Sequence, residues 1–132
     1  MVAGGGPPVA VVVAFVDRVN HRDLAGLARL MTADHELRVH DEAPVRGRDA
    51  NVAAWRGYFA SFPAYRICPL RIAEAGERVA VLGYTVGSHL GLPDEDERDL
   101  PVIWTAEVAG HAVRAWSVLE DDADRRRELG LA

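Results

Sequence analysis

The chain has 132 residues, 49% of them apolar and 27% charged, and a net charge of −5. That balance describes one folded domain with a real core, neither a disordered chain nor two domains. An acidic chain whose fifteen basic residues are all arginine argues against a nucleic-acid partner, which needs phosphate neutralisation.

The first stretch, "MVAGGGPPVAVVVAFVDRVN", lacks the positive region and small-residue cleavage site of a signal peptide and is too short to span a membrane. It reads as a disordered lead over residues 1–8, followed by a single domain over 9–132 in a cytoplasmic protein. Pro7 and Pro8 suit a helix start. Val9, Val12, Val13, Val16 and Val19 then recur at helical spacing, with Phe15 beside them. Asp23 is a candidate N-cap for a second, short helix carrying Leu24, Leu27, Leu30 and Met31 on one stripe.

Residues 34–41 alternate and predict a strand. "PVRGRDA" is a loop, with Asp49 as the candidate cap of a third helix. That helix runs to about Phe62 with Val52, Trp55, Phe59 and Phe62 on one face, and Pro63 stops it. Residues 65–74 and 78–89 predict two strands about an Ala75-Gly76 turn. "GLPDEDERDLP" is a long acidic loop. Residues 102–109 and 112–119 form a hairpin about Gly110. The tail "EDDADRRRELGLA" can form a last turn of helix, its acids and arginines suited to the macrodipole. Cys68, the single cysteine, cannot form an intrachain disulfide, and inside an apolar strand it reads as an inert buried thiol.

The order α-α-β-α-β-β-β-β predicts an α+β fold, three helices covering one face of a curved, mainly antiparallel sheet. Several late strands are apolar on both faces: Val79 and Val81 against Ala80 and Leu82, Val102 and Trp104 against Ile103. The face without helices needs a cover, and a second subunit in a homodimer is the expected one.

The order of elements, "LARLMTADHELRV", "RGRDA" leading into "AWRGYFASFPAYRI", "GSHLG" and the ending "VRAWSVLEDD" resemble the SnoaL-like branch of the nuclear transport factor 2 superfamily over residues 9–128. The resemblance implies a cone-shaped α+β barrel with an apolar pocket at its open end and dimers packed through the sheet. It also implies ketosteroid isomerase, polyketide cyclase, dehydratase or epoxide hydrolase chemistry, or binding without catalysis.

Parity then sorts the histidine-rich segment "DHELRVHDE". His35, Leu37, Val39 and Asp41 share one strand face; Glu36, Arg38 and His40 share the other. The aliphatic pair marks the first face as inward, so His35 and His40 point apart and hold no common metal. Parity leaves His35 and Asp41 as inward polar groups, with Asp41 at the pocket mouth, where apolar walls would raise its pKa and the resemblance implies a general base; the alternative is that Asp41 starts a turn and His40 is exposed. The resemblance, counted from Ala33-Asp34, places His40 at the isomerase aspartate instead. It likens His89 in "GSHLG" to the substrate-holding histidine of the cyclases, whose catalytic aspartate is replaced here by Ile103. Trp116 matches a family pocket tryptophan. His35, Trp55, Tyr58, Phe59, Tyr84 and Trp104 are further candidate ligand contacts. Glu107 and Arg114 form a candidate cross-strand pair, read as a surface salt bridge.

The expected function is acid/base chemistry of the isomerase, cyclase or dehydratase type, with no cofactor and no metal, on an apolar cyclic or polyketide-like compound. Asp41, His40 and His89 are the candidate catalytic groups. The alternatives are a non-catalytic ligand-binding or dimerisation module, and an epoxide hydrolase-like activity.

Overall fold

A computed structural model describes residues 7–132. Most of the predicted N-terminal lead lies outside the described residues. Pro8 already opens α1 (Pro8–Asn20), which buries Val11, Val12, Phe15, Val16 and Val19. The stripe is turned slightly from the expected one, leaving Val13 about half exposed. α2 (Leu24–Arg29) starts as predicted on Asp23, whose carboxylate accepts from the Gly26 N–H at 2.8 Å.

β1 (Met31–Val39) begins three residues before the predicted strand and ends two before it. Met31 shares the α2 spacing by coincidence; its backbone is already extended. After β2 (Val45–Arg46), α3 (Arg48–Ser61) is entered through Gly47 at φ 95°, not through an Asp49 cap. Asn51, fully buried, ties this entry down by donating to the carbonyls of His35, Val45 and Gly47 at 3.1, 3.0 and 2.9 Å.

The remaining elements are β3 (Arg66–Ala75), β4 (Arg78–Val86), α4 (Asp94–Glu97), β5 (Val102–Ala109), β6 (Ala112–Glu120) and α5 (Ala123–Glu128). Among the described residues, five helices pack on one six-stranded sheet of order β2-β1-β6-β5-β4-β3. Every pair is antiparallel except β1–β6. The fold is α+β as expected, but the sheet ends at β2 and β3 and does not close into a barrel.

The inner sheet face, carrying Val79, Val81, Trp104, Ala106 and Trp116, packs on Phe15, Val12 and Leu27 of the first helices. Part of the outer face is covered by the chain itself, which the sequence argument did not expect. Ala80, Leu82 and Ile103 are buried against Leu131, with Leu129 beside it. The segment that supplies these leucines is pinned by Arg126 to Asp121 at 2.6 and 2.7 Å and by Arg71 Nη1 to the Leu131 carbonyl at 3.1 Å. No helix among the described residues is long and apolar enough to cross a membrane.

Candidate functional site

The curved sheet and α3 enclose a cavity of about 340 Å³ at the open end of the domain. Leu37 and Val39 of β1, Trp104 of β5 and Val118 of β6 form its sheet wall; Ala54, Trp55 and Tyr58 of α3 face them. Tyr65, Thr85, Ser88, His89, Leu90 and Val102 complete the lining, with Glu42 at the rim. The lining is mostly apolar and aromatic, and its polar groups gather on one side, as in a small-molecule site.

That side is made by the segment after β4. Gly87 adopts φ 67°, and a Cβ there would sit 2.5 Å from the Ala64 carbonyl oxygen, so only glycine allows the chain to turn. The turn delivers Ser88 and His89 to the cavity. Tyr58 OH lies 2.8 Å from His89 Nδ1 and accepts from the His89 backbone N–H at 3.1 Å. Burial raises the Tyr58 pKa, so the phenol keeps its proton at neutral pH. When His89 Nδ1 carries a proton and donates to the phenol oxygen, His89 Nε2 is a free base and the phenol O–H is a free donor.

Behind the same wall stands Glu97, 1% exposed and the one buried carboxylate among the described residues. The Thr85 hydroxyl donates to its Oε2, and the Ser88 N–H reaches Oε1 at 3.4 Å. Sequence reasoning missed Glu97. It is one acid in a run of four, and only the start of α4 after Pro93 decides which of them turns inward. Trp55 Nε1, beside the cavity, is buried without a partner.

The predicted site residues fall in three places. His89, Trp55, Tyr58 and Trp104 meet at the cavity. His35, Phe59 and Trp116 are buried in the core and do not line it. Phe59 packs on Trp55 at 5.4 Å between ring centroids, and Trp116 lies between Phe15 and Trp104 at 4.8 and 6.3 Å. His35 Nδ1 meets the Val113 carbonyl at 2.6 Å; a carbonyl only accepts, so Nδ1 carries the proton and buried Nε2 has no partner. Tyr84 alternates with the inward Thr85 and sits on the other sheet face, opposite Cys68 of β3.

Asp41 and His40 are the third group, and here the alternation argument fails. β1 stops at Val39, and Asp41 takes φ 62° in the following turn. Its side chain is 87% exposed and His40's is 49% exposed, their nearest polar atoms 3.2 Å apart. Neither lines the cavity; the reversed chain brings Glu42 to the rim instead. The Glu107–Arg114 pair forms at 2.9 Å and is extended by Arg38 at 2.8 Å, on half-exposed side chains rather than at the cavity. Among the described residues, no three His, Cys, Asp or Glu side chains cluster as metal ligands do.

The model of the SnoaL-like domain family matches residues 12–116. No curated protein matches the chain significantly. Solved structures with the same fold include a candidate polyketide cyclase from Sinorhizobium meliloti, 14% identical, covering 86% of this chain and 100% of its own, at a TM-score of 0.71. A candidate ketosteroid isomerase from Kribbella flavida is 17% identical and covers 88% of this chain and 78% of its own, at 0.68. A candidate SnoaL-like polyketide cyclase from Jannaschia sp. is 20% identical, with 95% and 92% covered, at 0.70.

Proposed function

We propose a function from the premise that this chain belongs to the SnoaL-like domain family: the cavity takes a small apolar ring compound and moves a proton on it without a cofactor. The observation that carries this reading is the Tyr58–His89 contact of 2.8 Å in the wall of an aromatic cavity. His89 Nε2 takes a proton from a carbon next to a carbonyl. The Tyr58 O–H donates to the oxygen on which negative charge develops. Return of the proton to another carbon isomerises the compound; loss of a leaving group instead eliminates it. Trp55 and Trp104 hold the ring. Asp41 and His40, in solvent, take no part.

The test is deuterium exchange at carbon, followed by NMR, on a panel of cyclic ketones and β-diketones. Exchange should fall roughly 100-fold in His89→Gln and in Tyr58→Phe, and stay unchanged in Asp41→Asn. Ligand binding without any exchange would leave the rival, a non-catalytic binding module. That rival is favoured by one observation: among the described residues no carboxylate reaches the inner cavity directly, Glu42 standing at the rim and Glu97 behind Thr85 and Ser88.

Assembly as a homodimer belongs to the same proposal. Leu70 and Ile72 of β3 stay exposed. Light scattering that gives a monomer at micromolar concentration removes this part.

A further inference from the structure

The cavity's electrostatics narrow the ligand class. No lysine or arginine is among the lining residues, and two carboxylates attend the cavity, Glu42 at its rim and Glu97 behind its wall. A carboxylate buried in a low dielectric is costly unless a counter-charge accompanies it. Glu97 has two hydrogen-bond donors but no cationic partner among the described residues. Burial is the main cause that raises the Tyr58 and Tyr65 pKa values, and Glu97 behind them acts in the same direction. Tyr65 and Trp55 are themselves nearly buried there, and Trp104 faces them from the sheet. Aromatic faces with a negative charge behind them make a site for a positive nitrogen, since a desolvated cation is attracted by both.

We infer that the ring compound of this cavity, otherwise apolar, carries a positively charged nitrogen, an amine or alkylammonium group, seated between the aromatic wall and the Thr85–Ser88 side with Glu97 as its counter-charge. This rests on the reading that the cavity is the small-molecule site, and it adds a residue, Glu97, that sets specificity without touching the ligand. An anionic ligand such as a carboxylate or phosphate ester is disfavoured by the same field.

The test compares choline with its neutral isostere 3,3-dimethylbutan-1-ol, read by tryptophan fluorescence and by the indole resonances of Trp55 and Trp104. Choline should bind about tenfold tighter or more. Glu97→Gln, which keeps the shape, should erase the preference while the alcohol binds as before; Glu95→Gln, exposed on the same short helix α4, should not. Should Glu97→Gln fail to fold, salt decides on the unmodified protein. A preference set by buried Glu97 survives high salt, whereas attraction to the exposed acids is screened away. Equal binding of the two probes, or a preference lost in high salt, overturns the cation inference and leaves the cavity as a small-molecule site. Binding of neither probe also overturns the cation inference, and the small-molecule reading then stands or falls on the exchange test with cyclic ketones.

Discussion

His35 and His89 occupy opposite situations in one small domain. His35 lies in the closed part, 0% exposed, with Phe15 at 5.9 Å and the Val113 carbonyl as its one polar partner. His89 lies at the open end beside a phenol, with Ser88, Thr85 and Glu97 close behind. Both rings are held by a hydrogen bond at Nδ1. What separates them is access: the His35 ring is sealed in the core and held as one neutral tautomer by its Nδ1–H bond, while a nitrogen facing a cavity can exchange a proton with a ligand. A histidine near an apolar face is therefore no evidence of catalysis until its second nitrogen is located.

The contrast can be broken most severely at the closed end. Phe15 is fully buried between His35 and Trp116. Phe15→Ala should cost about 3–5 kcal/mol of stability, measured by urea unfolding, whereas Leu90→Ala at the exposed cavity wall should cost less than about 1 kcal/mol. Equal losses would mean that the two ends are packed alike.

Leu131 offers the next largest effect. It is 1% exposed against Ala80, Leu82 and Ile103. Leu131→Ala should lower stability by about 2–4 kcal/mol without changing ligand binding at the cavity on the other face. A variant as stable as the parent would show that this cover is dispensable.

Acid sharpens the comparison further. Burial holds the His35 imidazole below the ordinary histidine value, because a second proton would place a charge and an unpaired donor in the core. The unfolded chain therefore binds its proton first as pH falls. Stability contributed by the neutral ring is complete above about pH 6.5 and declines below it, levelling only where the buried ring itself protonates. Asp23, Glu107 and Asp121 have lowered values, so their contributions fade at more acid pH. A urea midpoint that does not move between pH 7.5 and about pH 5 would sink the assignment. The smallest effect belongs to Asp41→Asn, within about 0.5 kcal/mol, since asparagine tolerates a positive φ as well as aspartate does.

Residue patterns made the fold readable and the site only partly so. Alternation in β1 placed His35, Leu37 and Val39 on the inward face, and the helical stripe of α3 brought Trp55 toward the sheet. Alternation failed at Asp41 because it assumes a strand that continues, whereas β1 ends at Val39 and Asp41 itself takes a left-handed conformation in the turn. Tyr84 and Trp116 were drawn from aromatic type and family position without asking which face or depth each occupies. Glu97 was hidden by its neighbours: composition marks a run of acids as solvated, and burial of one member depends on where a four-residue helix happens to start. The outer cover was hidden for a similar reason, since Leu129 and Leu131 are too few to show a period.

That outer cover has a consequence for biosynthesis. The residues that bury Ala80, Leu82 and Ile103 leave the ribosome after all six strands have been made. Until they arrive, a nascent chain with its sheet already paired presents a bare apolar face to its surroundings. This interval is when sheet-to-sheet aggregation or chaperone capture is most favoured.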